Sequence, residues 1–350
     1  MKDRFKHLLT CALVGFASFI FVWPSHSIAA PDLTEFAKPQ TPPPSPKFNP
    51  PSQAKFELGE TLFFENRLSG GNTMSCASCH MPQYAWTDLE PLSPGEDGKR
   101  QTRRTPPLQD VGWNSLFGRD GRFESLEGFF LGPIANENEM NQNLDHLPSE
   151  LSNDPTYRLK FATAFGEGPI KIDKVTQSLG VYVRTLTLGI SPFDRWVAGD
   201  ADALSASAKS GYETFSGKAG CSQNHSGWRF SDQKFYDVGI ESADIGRGRI
   251  KPKDAAMQHA FVTPSLRNVT ARSPYMHNGY IQTLDAVVDH HASGGIPRPS
   301  LSNQVQPLAL SDQEKVNLIE FLKSLTDDKR ITNRHQVSDD TQILDKVSQP

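Results

Sequence analysis

The chain has 350 residues, 37% of them hydrophobic, which is enough to build one large core or two ordinary ones and too much for a wholly disordered chain. Its 36 lysines and arginines are balanced by 40 aspartates and glutamates, so no basic field is available to hold a nucleic-acid backbone or an anionic membrane. A small molecule or another protein is the expected partner.

Lys2, Arg4 and Lys6 precede an apolar run from Leu8 to Trp23, and small residues follow at Ser27, Ala29 and Ala30. This is the pattern of an export leader over residues 1–29, cleaved near Ala29. The rival reading is a retained anchor, but the run is short for a span and is interrupted by Thr10, Ser18 and Pro24. A periplasmic protein with no stable membrane insertion after cleavage is expected. Cleavage leaves Cys76, Cys79 and Cys221, an odd number where thiols normally pair, so cysteine has another use than disulfides.

Residues 30–51 are rich in proline (Pro39, Pro42 to Pro44, Pro46, Pro50, Pro51) and read as an extended tether or arm. A helix is expected after Ser52 as its cap, with Phe56, Leu58, Leu62 and Phe63 on one face, ending before Arg67-Leu-Ser-Gly-Gly71. Residues 82–107 and 226–263 carry many Gly, Pro and Asp without periodicity. So much irregular chain fits a compact fold only if a large cofactor forms part of the core.

A helix, a Gly-containing break and a Cys-x-x-x-His cluster occur twice, at Lys55 to His80 and at Ala203 to His225. This weak internal repeat suggests two modules, 52–200 and 201–330, joined through an apolar helix from Lys174 to Leu188. A last helix from Asp312 to Leu325 carries a capping box, Ser311 with Glu314, and buries Leu318, Phe321, Leu322 and Leu325. Residues 331–350 read as a polar tail.

Ser75-Cys76-Ala77-Ser78-Cys79-His80 has the spacing that attaches c-type haem. Two thiols three apart can bond the vinyl groups on one porphyrin edge, and His80 reaches the iron as proximal ligand. Zinc would need two further ligands that no second cysteine pair supplies, and a redox dithiol has no use for the adjacent histidine. In Cys221-Ser222-Gln223-Asn224-His225 the second thiol is replaced by Asn224. That pentapeptide reads either as a haem held by one thioether with His225 as ligand or as a free cysteine beside a polar histidine. From the five residues alone the second reading is favoured.

Taken together, these segments and others resemble the di-haem cytochrome c peroxidase family, including its MauG-type branch, from about residue 55 to 326. The carriers are Leu58 to Phe64 with Arg67-Leu-Ser69, Ser75 to His80, Arg104-Thr-Pro-Pro107, Asp120-Gly-Arg122 through Gly132-Pro133, and Glu139-Met140. In the second half they are Gly217 to His225, Phe235 to Gly239, Thr263 to Asn268, and Pro274 to Gly279 with Thr283-Leu284. The resemblance implies an all-α fold of two cytochrome-c-like domains wrapped around haem, with long irregular loops. It implies a peroxide-reactive haem in the first domain and an electron-transfer haem in the second. Hydrogen peroxide would be the oxidant and a cytochrome or protein the electron donor.

The resemblance also marks departures. It places a proton-moving glutamate where Gly128 stands, beside Phe129; Glu127, one residue off, is the remaining catalytic candidate, and weak turnover is expected. It places Gln109 where an oxidisable aromatic often bridges the haems. It makes His291, with His290 beside it, the distal ligand of the second haem opposite His225. Met276 reads as packing, His277 as a loop brace, and Trp86, Trp113 and Trp228 as core. Calcium near Thr263 and Pro264 stays open. The competing reading is a degenerate, non-enzymatic haem-binding or electron-transfer protein, or a partner of an intact relative.

Overall fold

Residues 33–327 are described in a computed structural model of the chain; the leader expected over 1–29 and the tail over 331–350 lie outside them. The first long helix, α1 (Gln53–Phe63), starts where Ser52 accepts a hydrogen bond from the Lys55 amide. Then come α2 (Leu126–Ala135), α3 (Leu147–Ser152), α4 (Pro155–Phe165), α5 (Ile172–Arg184), α6 (Pro192–Val197), α7 (Ala206–Ser216), α8 (Leu284–Ser293) and α9 (Asp312–Ser324). The capping box of Ser311 and Glu314 is formed at the head of α9. Two two-residue strands, β1 (Phe235–Tyr236) and β2 (Phe261–Val262), pair antiparallel, and irregular chain fills the remainder of the described residues. No helix among them is long and apolar enough to cross a membrane.

Two apolar clusters form. The first gathers Phe56, Leu58, Leu62 and Phe63 of α1 against Val175, Leu179, Tyr182 and Val183 of α5, with Trp86 beneath. The second gathers Tyr212 and Phe215 of α7 against Leu318, Phe321 and Leu322 of α9, with Phe193 and Phe230. Each fully buried side chain of this size contributes roughly 1.5–3 kcal/mol of transfer free energy. The α5 helix, read from sequence as a connector, is therefore the partner of α1: Val175, Leu179, Tyr182 and Val183 share one face, and from Ser178 to Arg184 the helix is buried on every side.

Each cluster has a glycine at its helix crossing. A Cβ on Gly59 would lie 2.0 Å from the Ser178 carbonyl oxygen, and one on Gly211 would lie 1.9 Å from that of Asn317. The helical repeat seen in the sequence is thus also a repeat of packing geometry.

The proline-rich arm stays extended, but it packs. Phe36 is 1% exposed and stacks on Phe230 at 5.0 Å inside the second cluster. Lys38 Nζ donates to the Leu188 carbonyl at 3.2 Å. Buried Asn49 donates to Glu127 Oε1 at 2.7 Å and to the Gln177 carbonyl at 2.9 Å, at the edge of the first cluster. Residues 36–49 therefore form a strap between the two clusters.

Candidate functional site

Cys76–Ser78 form one tight turn, in which the amides of Cys79 and His80 both reach back to the Cys76 carbonyl, at 3.3 and 2.9 Å. The turn sets both thiols on one side and turns the His80 ring inward. His80 Nδ1 lies 2.9 Å from the Trp86 carbonyl oxygen, which only accepts, so Nδ1 carries the proton and Nε2 keeps a free lone pair. Burial pushes the His80 pKa down, favouring the neutral, ligating form. Burial also pushes the Cys76 thiol up to about 12 and the Cys79 thiol up to about 11, and neither forms a disulfide.

These groups line a cavity of about 380 Å³, with Phe129, Phe130, Pro133 and Ile134 of α2 as its apolar wall. Arg104 and Arg119 supply cationic edges to the same cavity, and buried Arg104 Nε has no hydrogen-bond partner among the described residues. Paired thiols, an imidazole with an open nitrogen, an apolar wall and unpaired donors suited to carboxylates together fit a c-type haem.

Two acids line this cavity, Glu139 and Asp244; Asp244 is engaged by Arg103, and neither Glu127 nor Gly128 is among the lining residues. Glu127 is 5% exposed and forms a fork with Arg184, Oε1 to Nη1 at 2.7 Å and Oε2 to Nη2 at 3.0 Å. Burial alone would raise its carboxyl, but the bonds from Arg184 and Asn49 outweigh that and hold it below the usual range. Gly128 sits in the first turn of α2 with its amide on Ser125 Oγ and does not line the cavity. Neither residue lines the cavity.

Glu139 comes from the turn after α2. Pro133 inside α2 cannot donate, and the chain folds back so that the Met140 amide bonds the Pro133 carbonyl at 3.2 Å and the Gln142 amide bonds Ile134 at 2.8 Å. The Glu96 amide holds the Glu139 carbonyl and the Gly70 amide holds that of Met140, both at 2.8 Å. Gly95 allows this approach, since a Cβ there would lie 2.0 Å from the Asn138 carbonyl oxygen. Burial raises the Glu139 pKa, with Arg122 and the Asn136 side chain opposing. The sequence signal was the pair Glu139-Met140 itself, quoted for the match but given no role.

The second cluster repeats the first turn closely. The Asn224 and His225 amides reach the Cys221 carbonyl at 3.3 and 2.9 Å, and His225 Nδ1 meets the Phe230 carbonyl at 2.8 Å. Asn224 has φ −108° and ψ −36°, against −110° and −26° at Cys79. Its side chain donates to Gln304 Oε1 at 2.7 Å. Burial pushes the Cys221 thiol up to about 11.

His291, on α8, is pushed down to about 4 by burial and by the nearby His290 and His225. The fold therefore brings the rings of His225 and His291 within electrostatic reach, while His290 is engaged with the Val238 carbonyl at 2.8 Å.

Gln109 accepts from Asn268 Nδ2 at 2.9 Å. His277 braces a loop, bonding Ser242 Oγ at 3.0 Å and stacking on Phe261. Met276, partly buried, sits in the left-handed region in the same loop, and Trp86 lies in the first cluster. Trp113 and Trp228, only partly buried, meet edge to face at 5.0 Å across the two halves. The Thr263 carbonyl is taken by Ser231 Oγ and that of Ser265 by the Arg272 guanidinium.

A family model described as di-haem cytochrome c peroxidase matches residues 53–202. The chain is 43% identical to the methylamine utilization protein MauG of Methylorubrum extorquens over 83% of both chains. It is 34% identical to a cytochrome-c peroxidase of Denitromonas iodatirespirans, over 82% of this chain and 85% of the relative. A crystal structure of a MauG-like protein associated with microbial copper homeostasis superposes with a TM-score of 0.77 at 29% identity, covering 85% of this chain and 97% of the other.

Proposed function

This chain belongs to the di-haem cytochrome c peroxidase family, and from that membership we propose that it is a periplasmic c-type haem oxidoreductase that reduces hydrogen peroxide with electrons from a cytochrome or protein donor. The observation that carries the reading is Glu139 in the same cavity as Cys76, Cys79 and His80.

In this reading Cys76 and Cys79 hold the haem by two thioethers and His80 Nε2 ligates its iron. The haem supplies the site where peroxide binds and the electrons that break its O–O bond. Glu139 would do what the chain itself must do: its carboxylate would take a proton from one peroxide oxygen and give it to the other, which would leave as water, the remaining oxygen becoming a second water with two electrons from the donor and two protons from solvent. Burial raises the Glu139 pKa, so this carboxyl holds a transferred proton better than an ordinary glutamate. Phe129 and Phe130 keep bulk water off the cavity wall. His225 and His291 would ligate a second haem held by Cys221 alone, whose chemistry would be to relay electrons from the donor.

Glu139→Gln should lower the peroxide-driven oxidation of a reduced cytochrome c by roughly 10²–10⁴-fold, the usual worth of general acid–base assistance, with haem content and the ferric spectrum unchanged. Unaltered turnover would remove Glu139 from the mechanism. Asn224 favours a second reading, a degenerate electron-transfer protein, since it removes a thioether. Such a protein would leave the reduced donor unbleached when peroxide is added.

A further inference from the structure

The arginines around the first cavity fall into two groups. Arg103 is neutralised by Asp120 at 2.7 Å and Asp244 at 2.5 Å, and the exposed Arg122 and Arg249 reach the same two carboxylates at 3.2 and 3.5 Å. Among the described residues neither Arg104 nor Arg119 forms an ion pair, though the nearby Asp88 carboxylate acts on Arg104. Arg104 spends its terminal nitrogens on Thr87 Oγ1 and on the carbonyls of Thr105, Asp88 and Ser273. Arg119 makes one side-chain hydrogen bond, Nε to the Arg104 carbonyl at 2.9 Å, which leaves both terminal nitrogens to the cavity it lines.

Arg272, from the C-terminal half, adds a third guanidinium bonded only to the carbonyls of Asn268 and Ser265. Burial, then mutual repulsion, pushes Arg119 down to about 9 and Arg272 to about 10. Arg104 and Arg272 are buried and Arg119 half-buried, and Asp88 acts on Arg104 but not on Arg119; gathered positive charge so weakly compensated is costly, so the cluster calls for an anion at Arg119. Arg119 is also held rigidly. Its carbonyl accepts from the Val262 amide at 2.9 Å, and the turn that carries it is closed by Gly118 and Gly121, both at positive φ.

We propose that Arg119, with Arg104 beside it, receives a carboxylate of the haem seated at Cys76, Cys79 and His80, and by its charge holds that haem's reduction potential up. The inference rests on haem occupancy of that cavity. A haem carries two carboxylates on the edge away from its thioethers, and the cavity that contains both cysteines is also lined by Arg119, with its terminal nitrogens uncommitted among the described residues, and by Arg104. A cation fixed there favours the ferrous over the ferric state, because oxidation adds positive charge. A free anion such as phosphate is the other source of the same charge.

The test is a potentiometric titration of the holoprotein, with each haem followed separately and haem content matched between variants. Arg119→Gln should shift the His80-ligated haem toward ferric by on the order of tenfold, 59 mV downward for one electron, while Arg119→Lys keeps most of the parent value. The parent potential should not vary with phosphate concentration. An unchanged potential in fully loaded Arg119→Gln overturns the proposal, as does a parent potential that tracks phosphate, which would place a free anion on Arg119. A haem-free peptide at Cys76 to His80 in the parent would instead defeat the site reading on which the proposal stands. Should Arg119→Gln lose its haem, parent protein carrying haem labelled with ¹³C at its carboxylates decides the matter. Infrared bands of a guanidinium-paired carboxylate are expected there, and bands of a hydrated one overturn the assignment.

Discussion

At the scale of single residues, Asn224 is one side chain short of a complete second attachment motif. Its backbone already has nearly the dihedrals of Cys79, and His225 already holds its ring by the same carbonyl bond that orients His80. Asn224→Cys therefore asks nothing of the backbone and gives up an exposed bond to Gln304 and one to Tyr236, each worth roughly 0.5–1.5 kcal/mol at most. It should add a second thioether, seen as doubly linked haem on the peptide containing Cys221 and as a shift of the pyridine haemochrome band. A bare Cys221 peptide in both parent and variant would exclude haem from the second site. The attachment residues were legible because they are contiguous and their chemistry demands that spacing. Glu139 was not. A role over the cavity was sought on a helix, one or two residues from Glu127, whereas the acid arrives on a turn held by Glu96 and Gly70. Glu127 is engaged by Arg184, 57 positions away, and no local pattern reports such a partner.

At the scale of elements, α1 and α9 were legible because both carry a serine cap and an apolar stripe of helical period, local features that survive in the fold. The role of α5 was less so, since an apolar helix between two modules reads equally as connector or core; only its packing on α1 decides. That packing depends on Gly59, as the α7–α9 crossing depends on Gly211. In each case an added methyl would overlap the backbone carbonyl of the opposing helix, which cannot rotate away. Gly59→Ala and Gly211→Ala should each destabilise by about 1–3 kcal/mol despite alanine's better helix propensity, because the helices must move apart. Urea denaturation monitored by far-ultraviolet dichroism measures this. A gain in stability from either substitution would mean that the crossing is looser than described.

At the scale of the whole molecule, the two halves and the strap meet at charged groups whose partners are far apart in sequence, which is why the junction left no sequence mark. Asp110 stands at that meeting. Its Oδ1 accepts from the Leu188 amide at 3.1 Å, its carbonyl accepts from Arg229 Nη1 at 3.1 Å, and its Oδ2 is buried without a partner. Burial raises its pKa from the ordinary 3.8 to about 6, although Lys38 of the strap, Arg267 and Arg229 all pull it down. The folded state thus binds this proton more tightly than the unfolded chain. Its stabilising effect is complete below pH 4 and is lost as pH rises through about 6. Each pKa unit between the two states is worth about 1.4 kcal/mol, so ionising Asp110 in the fold costs on the order of 3 kcal/mol at neutral pH. Asp110→Asn keeps an acceptor for the Leu188 amide and removes the titration. The difference in unfolding free energy between variant and parent should therefore move in the variant's favour by that order from pH 4 to pH 7. Matched haem content is required, since haem bound at either site adds its own linkage. Parallel stability curves would show that Asp110 ionises in the fold as it does in the open chain, and that the surrounding cations, rather than burial, set its charge.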